Sequence, residues 1–137
     1  MNYLLDTNII SELSRKKPNQ DVVNWVFAPK QRDNLYLSCL TIGEIKLGII
    51  KLRKKDPSAA RVLETWIENL LTEYKDKIIT INLEVANEWA YLMSIDGTNA
   101  IDSLLAAQAK SMNFTLVTRN IKHFSMFDIK ILNPFEV

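Results

Sequence analysis

Short apolar runs alternate along this chain with longer amphipathic stretches, and that order of elements restricts the fold more than any other feature. The runs are Tyr3–Leu5, Leu35–Ser38, Ile78–Ile81, Phe114–Thr118 and Ile129–Leu132. Between them apolar residues recur at helical spacing. Ile45, Ile49 and Leu52 share one helix face. Val62, Trp66, Leu70 and Tyr74, with Leu63, Ile67 and Leu71 beside them, line the next. Val85, Trp89 and Leu92 line a third. Strands that alternate with helices predict a parallel sheet covered on both sides. The expected fold is a single three-layer α/β/α domain over residues 1–137, with a short, mostly parallel central sheet of four to five strands.

Polar residues at the ends of the runs mark where helices begin. Asp6-Thr7-Asn8 follows the first run, and Asp, Thr and Asn are preferred N-caps. Asp21 is expected to cap a short helix carrying Val22, Val23, Trp25 and Val26. Thr41-Ile-Gly-Glu44 fits a capping box, in which the glutamate reaches back to the first amide. Ser58 opens a long helix to about Tyr74. Asn82 caps a helix that ends before Asp96-Gly97, and Thr98-Asn99 cap the helix from Ala100 to Ser111. The two helices between residues 41 and 74 carry more apolar surface than one neighbour covers. They are read as core plus a homodimer face.

A chain of 137 residues can bury about two thirds of its unfolded surface, enough for a core without staples. A composition 47% hydrophobic and 24% charged is that of a globular protein. The net charge of +1 neither demands nor excludes nucleic acid, so a polyanion site must come from local clustering. The one cysteine, Cys39, excludes an internal disulfide and is read as a core thiol at a buried strand end. No signal peptide is evident, and no apolar run approaches the ~20 residues that span a bilayer. A soluble cytoplasmic protein with no membrane contact is expected.

Ligand crevices in open parallel sheets lie at the carboxyl ends of the strands. Asp6 follows the first strand, Glu44 lies a turn into the helix after the second, Asp102 is in the first turn of the helix before the fourth, and Asn120 follows the fourth. Each alone is an ordinary cap or a favourable partner of a helix dipole. Together they place three carboxylates and an amide in one crevice. Such carboxylates repel one another unless one is protonated. A divalent cation removes the conflict, and all-oxygen donors favour Mg²⁺, or Mn²⁺ in its place, over zinc. A metal held there can orient a phosphodiester and activate a water. A covalent route has no support: Cys39 reads as buried, and Ser11 and Ser38 have no histidine beside them.

Four motifs in order, Leu5-Asp-Thr-Asn8, Thr41-Ile-Gly-Glu44, Ile101-Asp-Ser-Leu-Leu-Ala-Ala107 and Val117-Thr-Arg-Asn120, are followed by Asn133-Pro-Phe135. This pattern resembles the PIN-domain family, in particular its VapC and FitB-like toxin branch, over essentially the whole chain. The resemblance implies a metal-dependent ribonuclease with a parallel sheet. It implies the toxin of a type II toxin–antitoxin system, acting on RNA, forming a homodimer and blocked by a cognate antitoxin that plugs the active site. The family's metal-binding acids fall on Asp6, Glu44 and Asp102, with Asn120 completing the catalytic set.

The chain departs from the family at the fourth acid. Asn120 and His123 stand where the family often has aspartate, while Phe124 is retained. Asn120 can offer a carbonyl but no charge, which leaves open whether one or two ions bind. His123 is read either as a surface or packing residue or as a group that touches substrate phosphate or assists proton transfer. Thr7, Asn8 and Thr118, within the same motifs, are candidate supporting residues. Glu12, on the side of Asn8, is read either as support for a ligand or as a solvated helix residue. Two other classes compete. One is a feebly active binding module that reaches DNA only through its antitoxin, as a repressor complex. The other is a phospho-accepting receiver domain, which needs adjacent acids after the first strand, where this chain has Asp6 followed by Thr7.

Overall fold

The computed structural model describes residues 1–95 and 99–136. The expected helix end at Asp96-Gly97 and the cap contribution of Thr98 lie outside them. The elements run β1 (Tyr3–Leu5), α1 (Thr7–Leu13), α2 (Gln20–Val26), β2 (Leu35–Ser38), α3 (Cys39–Arg53), α4 (Pro57–Glu73), β3 (Ile78–Ile79), α5 (Leu83–Ile95), α6 (Ala100–Met112), β4 (Thr115–Val117) and β5 (Ile131–Leu132). Single 3₁₀ turns lie at Pro29–Gln31, Ile121–His123 and Pro134–Glu136. The five strands form one sheet in the order β3-β2-β1-β4-β5, and every pairing is parallel. The mixed α/β architecture agrees with the expectation from the alternating runs.

Strand side chains alternate between faces, and each face has its own core. Leu4 and Leu116, paired in register, pack with Val85, Leu92, Leu105, Ala106 and Phe124 beneath α5 and α6. Leu5, Leu37 and Val117 share a register row and point the other way, into Ile9, Val22, Ile45, Ile49 and Ile67 beneath α1 to α4. The alanines of α6 at 106, 107 and 109 are fully buried. Their small side chains let that helix lie close against the sheet. The buried amide of Gln108 is satisfied on both sides. Its Oε1 accepts the Ser38 hydroxyl at 2.5 Å, and its Nε2 donates to the carbonyls of Ile79 and Thr80 at 3.2 and 3.3 Å. A side chain thus holds the chain where β3, expected to reach Ile81, stops at Ile79. Among the described residues no helix is long and apolar enough to cross a membrane.

Several helix starts differ from the sequence reading, each for a local reason. Asn19, not Asp21, caps α2, because its side-chain oxygen accepts from the amides of Asp21 and Val22. Ser38 caps α3 by accepting from the Leu40 amide, so that helix begins at Cys39 and the expected capping box does not form. Thr41 is buried and donates to the Ser38 carbonyl at 2.8 Å instead. Cys39 is consequently a half-buried first-turn residue rather than a core thiol of a strand. Asp56 caps α4, with Pro57 in the first turn, where proline's missing N–H costs nothing. α6 ends at Asn113 in the left-handed conformation that asparagine tolerates (φ 55°).

The buried stripe of α4 also differs. Ala60 and Ile67 are buried and Leu63, Leu70 and Tyr74 are half-buried, whereas Val62 is 69% exposed. Leu47 and Ile50 of α3 are likewise exposed apolar side chains of the α3–α4 hairpin. The orientation of α4 sets the expected cost of truncation. Ile67→Ala should lose about 2–5 kcal/mol, the range for emptying a packed aliphatic site. Val62→Ala should stay within about 0.5 kcal/mol. Urea denaturation of both variants checks the difference, and equal losses would mean that α4 is turned the other way.

Candidate active site

The chain proceeds from β1 outward to β2 and β3, then returns to the other side of β1 for β4 and β5. The order therefore reverses between β1 and β4, where the carboxyl ends of open α/β sheets leave a crevice. Asp6 leaves β1 at this point. Its backbone is still extended (φ −72°, ψ 160°), so its side chain follows that of Leu4 toward the α6 side. The Asp6 amide donates to the Val117 carbonyl at 2.9 Å, which brings Thr118 alongside.

Asp6 is 7% exposed and heavily hydrogen-bonded. Oδ1 accepts the Thr7 amide at 2.7 Å, which makes it the N-cap of α1. Oδ2 accepts the Thr118 hydroxyl at 2.8 Å and the Asn8 amide at 3.1 Å. Asn8 reaches further. Its Nδ2 also donates to Thr118 Oγ1 at 3.3 Å, and its Oδ1 accepts the Arg119 amide at 3.0 Å. Thr118 Oγ1 in turn accepts the Asn120 amide at 3.0 Å. One carboxylate thereby ties the start of α1 to the end of β4.

The other two acids come from opposite layers. Glu44 of α3 is exposed and its Oε1 accepts the Thr7 hydroxyl at 2.6 Å. Asp102 stands in the first turn of α6, whose cap is the Asn99 side chain, and its Oδ2 lies 3.4 Å from His123 Nδ1. Burial pushes the Asp6 carboxyl above the usual carboxylate range. Hydrogen bonds from Thr118 and Thr7 oppose this, and the charges of Asp102 and Glu44 add to it. Burial raises Asp102 as well, His123 pulls it back, and Glu44 raises it again. The three acids thus stand within electrostatic reach of one another.

Among the described residues, no three His, Cys, Asp or Glu side chains lie close enough to enclose a metal ion as they stand. The donors are all oxygen, and Asp6 and Asp102 are raised first by burial, with neighbouring carboxylate charge adding to it. That chemistry suits a hard divalent ion that keeps part of its water shell and takes one or two carboxylates directly. It does not suit a fully protein-enclosed site.

The remaining expected residues divide. Thr7, Asn8 and Thr118 all touch an acid of the cluster. Glu12 goes elsewhere: its buried carboxylate accepts the Asn19 amide at 2.8 Å and pairs with Arg15 at 3.4 Å. It fastens the entry to α2, and neither sequence reading of it matches that role. His123, with 58% of its side chain exposed, divides two adjoining clefts. One, of about 310 Å³, is lined by Asn99, Asp102, Lys122, His123, Met126 and Phe127. The other, of about 300 Å³, carries Asn120 together with Arg119, Lys122 and Asn133. The sequence reading passes over Arg119 and Lys122. Their signal is a basic residue directly after a strand whose end carries site residues.

A family model described as PIN domain matches residues 3–129. Over 141 residues the chain is 34% identical to Toxin FitB of Neisseria gonorrhoeae, covering 96% of this chain and 97% of that protein. It is 28% identical over 141 residues to VapC ribonuclease Y4jK of Sinorhizobium fredii, covering 97% of each. A solved structure of FitAB bound to an IR36 DNA fragment superposes with a TM-score of 0.88 at 33% identity, covering 98% of this chain and 96% of that one. The chain belongs to the PIN-domain family.

The raised carboxyls have a consequence for stability. A carboxyl whose folded pKa exceeds its unfolded value near 3.8 binds more protons in the folded state. Its stabilising contribution is complete below the unfolded pKa and is lost as pH rises through the folded pKa. Asp6→Asn removes that loss while keeping a side chain able to cap α1. In EDTA, the melting temperature of Asp6→Asn relative to wild type should therefore climb as pH is raised from about 3.8 toward neutrality. A difference that stays flat with pH would show that Asp6 carries no such penalty.

Proposed function

We propose that this PIN-domain protein is a metal-dependent endoribonuclease, the toxin of a type II toxin–antitoxin system, which hydrolyses RNA phosphodiester bonds with water as nucleophile. The observation that carries this reading is the approach of Asp6, Glu44 and Asp102 to within electrostatic reach at the sheet's switch point, with Asp6 raised first by burial and further by the other two charges. The names of the relatives, a toxin and a VapC ribonuclease, support it.

In this reading Asp6 and Asp102 are the main direct ligands of Mg²⁺ or Mn²⁺, Glu44 contributes directly or through water, and Asn120 stands at the edge. A bound divalent ion would supply charge neutralisation at the phosphodiester and a more acidic water. The chain's own residues do the positioning. Thr118 and Asn8 hold the Asp6 carboxylate in one orientation, and Thr7 holds Glu44. His123 stands against Asp102, placed to hand a proton to the leaving oxygen or to hold substrate phosphate.

The partners follow from the same reading. The exposed apolar side chains Leu47, Ile50 and Val62 of the α3–α4 hairpin are what a homodimer would cover. The acidic crevice suits a cationic side chain of an antitoxin, since bidentate arginine pairs best with carboxylates. DNA would be reached through that antitoxin, as the DNA-bound FitAB complex suggests.

Purified, antitoxin-free protein incubated with total RNA should cleave it in Mg²⁺ and stop in EDTA. Asp6→Asn should lower the rate by about 10²–10³, the loss typical of one preorganised electrostatic contact, with the fold retained. His123→Ala decides between a part in proton transfer and a packing role. A loss as large as that of Asp6→Asn assigns proton transfer, and near-normal activity returns it to packing. Cleavage that ignores EDTA would remove the metal mechanism. Absence of cleavage with intact antitoxin and DNA binding would favour the repressor module.

A further inference from the structure

The cleft beside His123 on the side away from Asp102 is lined by Arg119, Asn120, Ile121, Lys122, Asn133 and Glu136. Arg119 is the best-placed cation in it. Its amide is bonded to Asn8 Oδ1, and Asn8 also bonds Asp6, so its backbone is fixed relative to the acidic cluster. Its guanidinium carbon lies 4.5 Å from the centroid of the Phe135 ring. Phe135 is itself half-buried, and its amide is bonded to Asn133 Oδ1 at 3.0 Å.

An arginine held over an aromatic ring in cation–π contact can still turn N–H groups toward an anion. Those N–H groups form the fork that matches phosphate oxygens in bidentate fashion. Among the described residues neither Arg119 nor Lys122 takes part in an ion pair, a state they share with most basic residues of the chain. Two cations without ion-pair partners, one held on an aromatic platform, therefore stand next to an acidic crevice that repels polyanions. A negatively charged strand needs an attractive foothold of this kind to approach. Glu136 on the cleft wall works against it and limits how deeply an anion can enter.

We propose that Arg119, held over Phe135 and assisted by Lys122, grips the RNA phosphate adjacent to the one that is cut and so positions the strand over Asp6 and Asp102. This rests on the ribonuclease reading. In it Arg119 binds substrate and takes no part in bond cleavage. Holding it there beforehand lowers the entropy lost when the long side chain engages the phosphate.

The test is fluorescence anisotropy of a labelled single-stranded RNA oligonucleotide on the Asp6→Asn protein in EDTA, with and without Arg119→Gln, across a salt series. Removing a hydrogen bond to a charged group should weaken binding about tenfold or more. Losing one phosphate contact should reduce the slope of log K against log salt by about 0.7. Arg119→Lys should recover the slope but only part of the affinity, and Glu136→Gln should tighten binding. In the cleaving protein Arg119→Gln should act on KM far more than on kcat. Unchanged RNA affinity and slope in Arg119→Gln would overturn the subsite even where the wild type cleaves RNA in Mg²⁺. So would a loss confined to binding of a protein partner. If the wild type fails to cleave while Arg119→Gln still lowers RNA affinity and slope, the ribonuclease reading falls and the phosphate contact stands.

Discussion

The Asp6 carboxylate is the group on which the arrangement of this protein depends. It terminates the central strand, caps the first helix through Thr7, and is gripped by Thr118 at the end of β4 and by Asn8. Sheet, helix start and neighbouring strand end are thereby joined at one pair of oxygens. The same group is buried and faces two other acids, so its charge is held at a cost in the metal-free protein. Hydrogen bonding keeps the side chain in place while burial and like charge oppose its ionisation. Both features suit a ligand for a divalent cation, which would reverse the cost without having to reorient the side chain.

The order of the elements was legible because it rests on periodicity that local sequence carries in full. Tyr3–Leu5 and Leu35–Ser38 are strands as expected, and Asp6, Glu44 and Asp102 come from different elements to within electrostatic reach at the carboxyl end of the sheet's centre. What local sequence could not settle was competition between neighbouring caps. Asn19 outcompetes Asp21 two residues on, and Ser38 takes the cap that Thr41 offers. Thr41 is buried by its surroundings, and Glu44 turns to Thr7, thirty-seven residues earlier in the chain. Glu12 escaped for the same reason, since its partner is the Asn19 amide seven residues away across a loop. Val62 shows the limit of a four-residue spacing rule: the apolar stripe of α4 is wider than its buried part.

The edge of the site is asymmetric in charge. Acids converge on the β1–β4 switch point, while Arg119, Lys122 and His123 crowd the turn that follows β4. His123 meets Asp102 across this boundary at 3.4 Å. A net charge of +1 for the whole chain conceals this local separation. A strand laid across the boundary would place its scissile phosphate among acids and its neighbour among cations, so its polarity relative to the sheet would be set by charge.

Gln108 gives α6 a fixed phase. Its amide is bonded on one side to Ser38 at the end of β2 and on the other to the carbonyls of Ile79 and Thr80, with nothing left unsatisfied. An α-helix is stiff over so short a span, and Asp102 lies less than two turns upstream of Gln108 on the same rod. The helix can neither roll nor slide without breaking buried hydrogen bonds. A contact at the end of β2, one strand over from Asp6 and on the opposite side of β1 from β4, therefore acts as the index mark that keeps Asp102 aimed at the site. Changes in the two-residue strand β3 are in this sense changes in the alignment of the acids, transmitted by rotation of one helix.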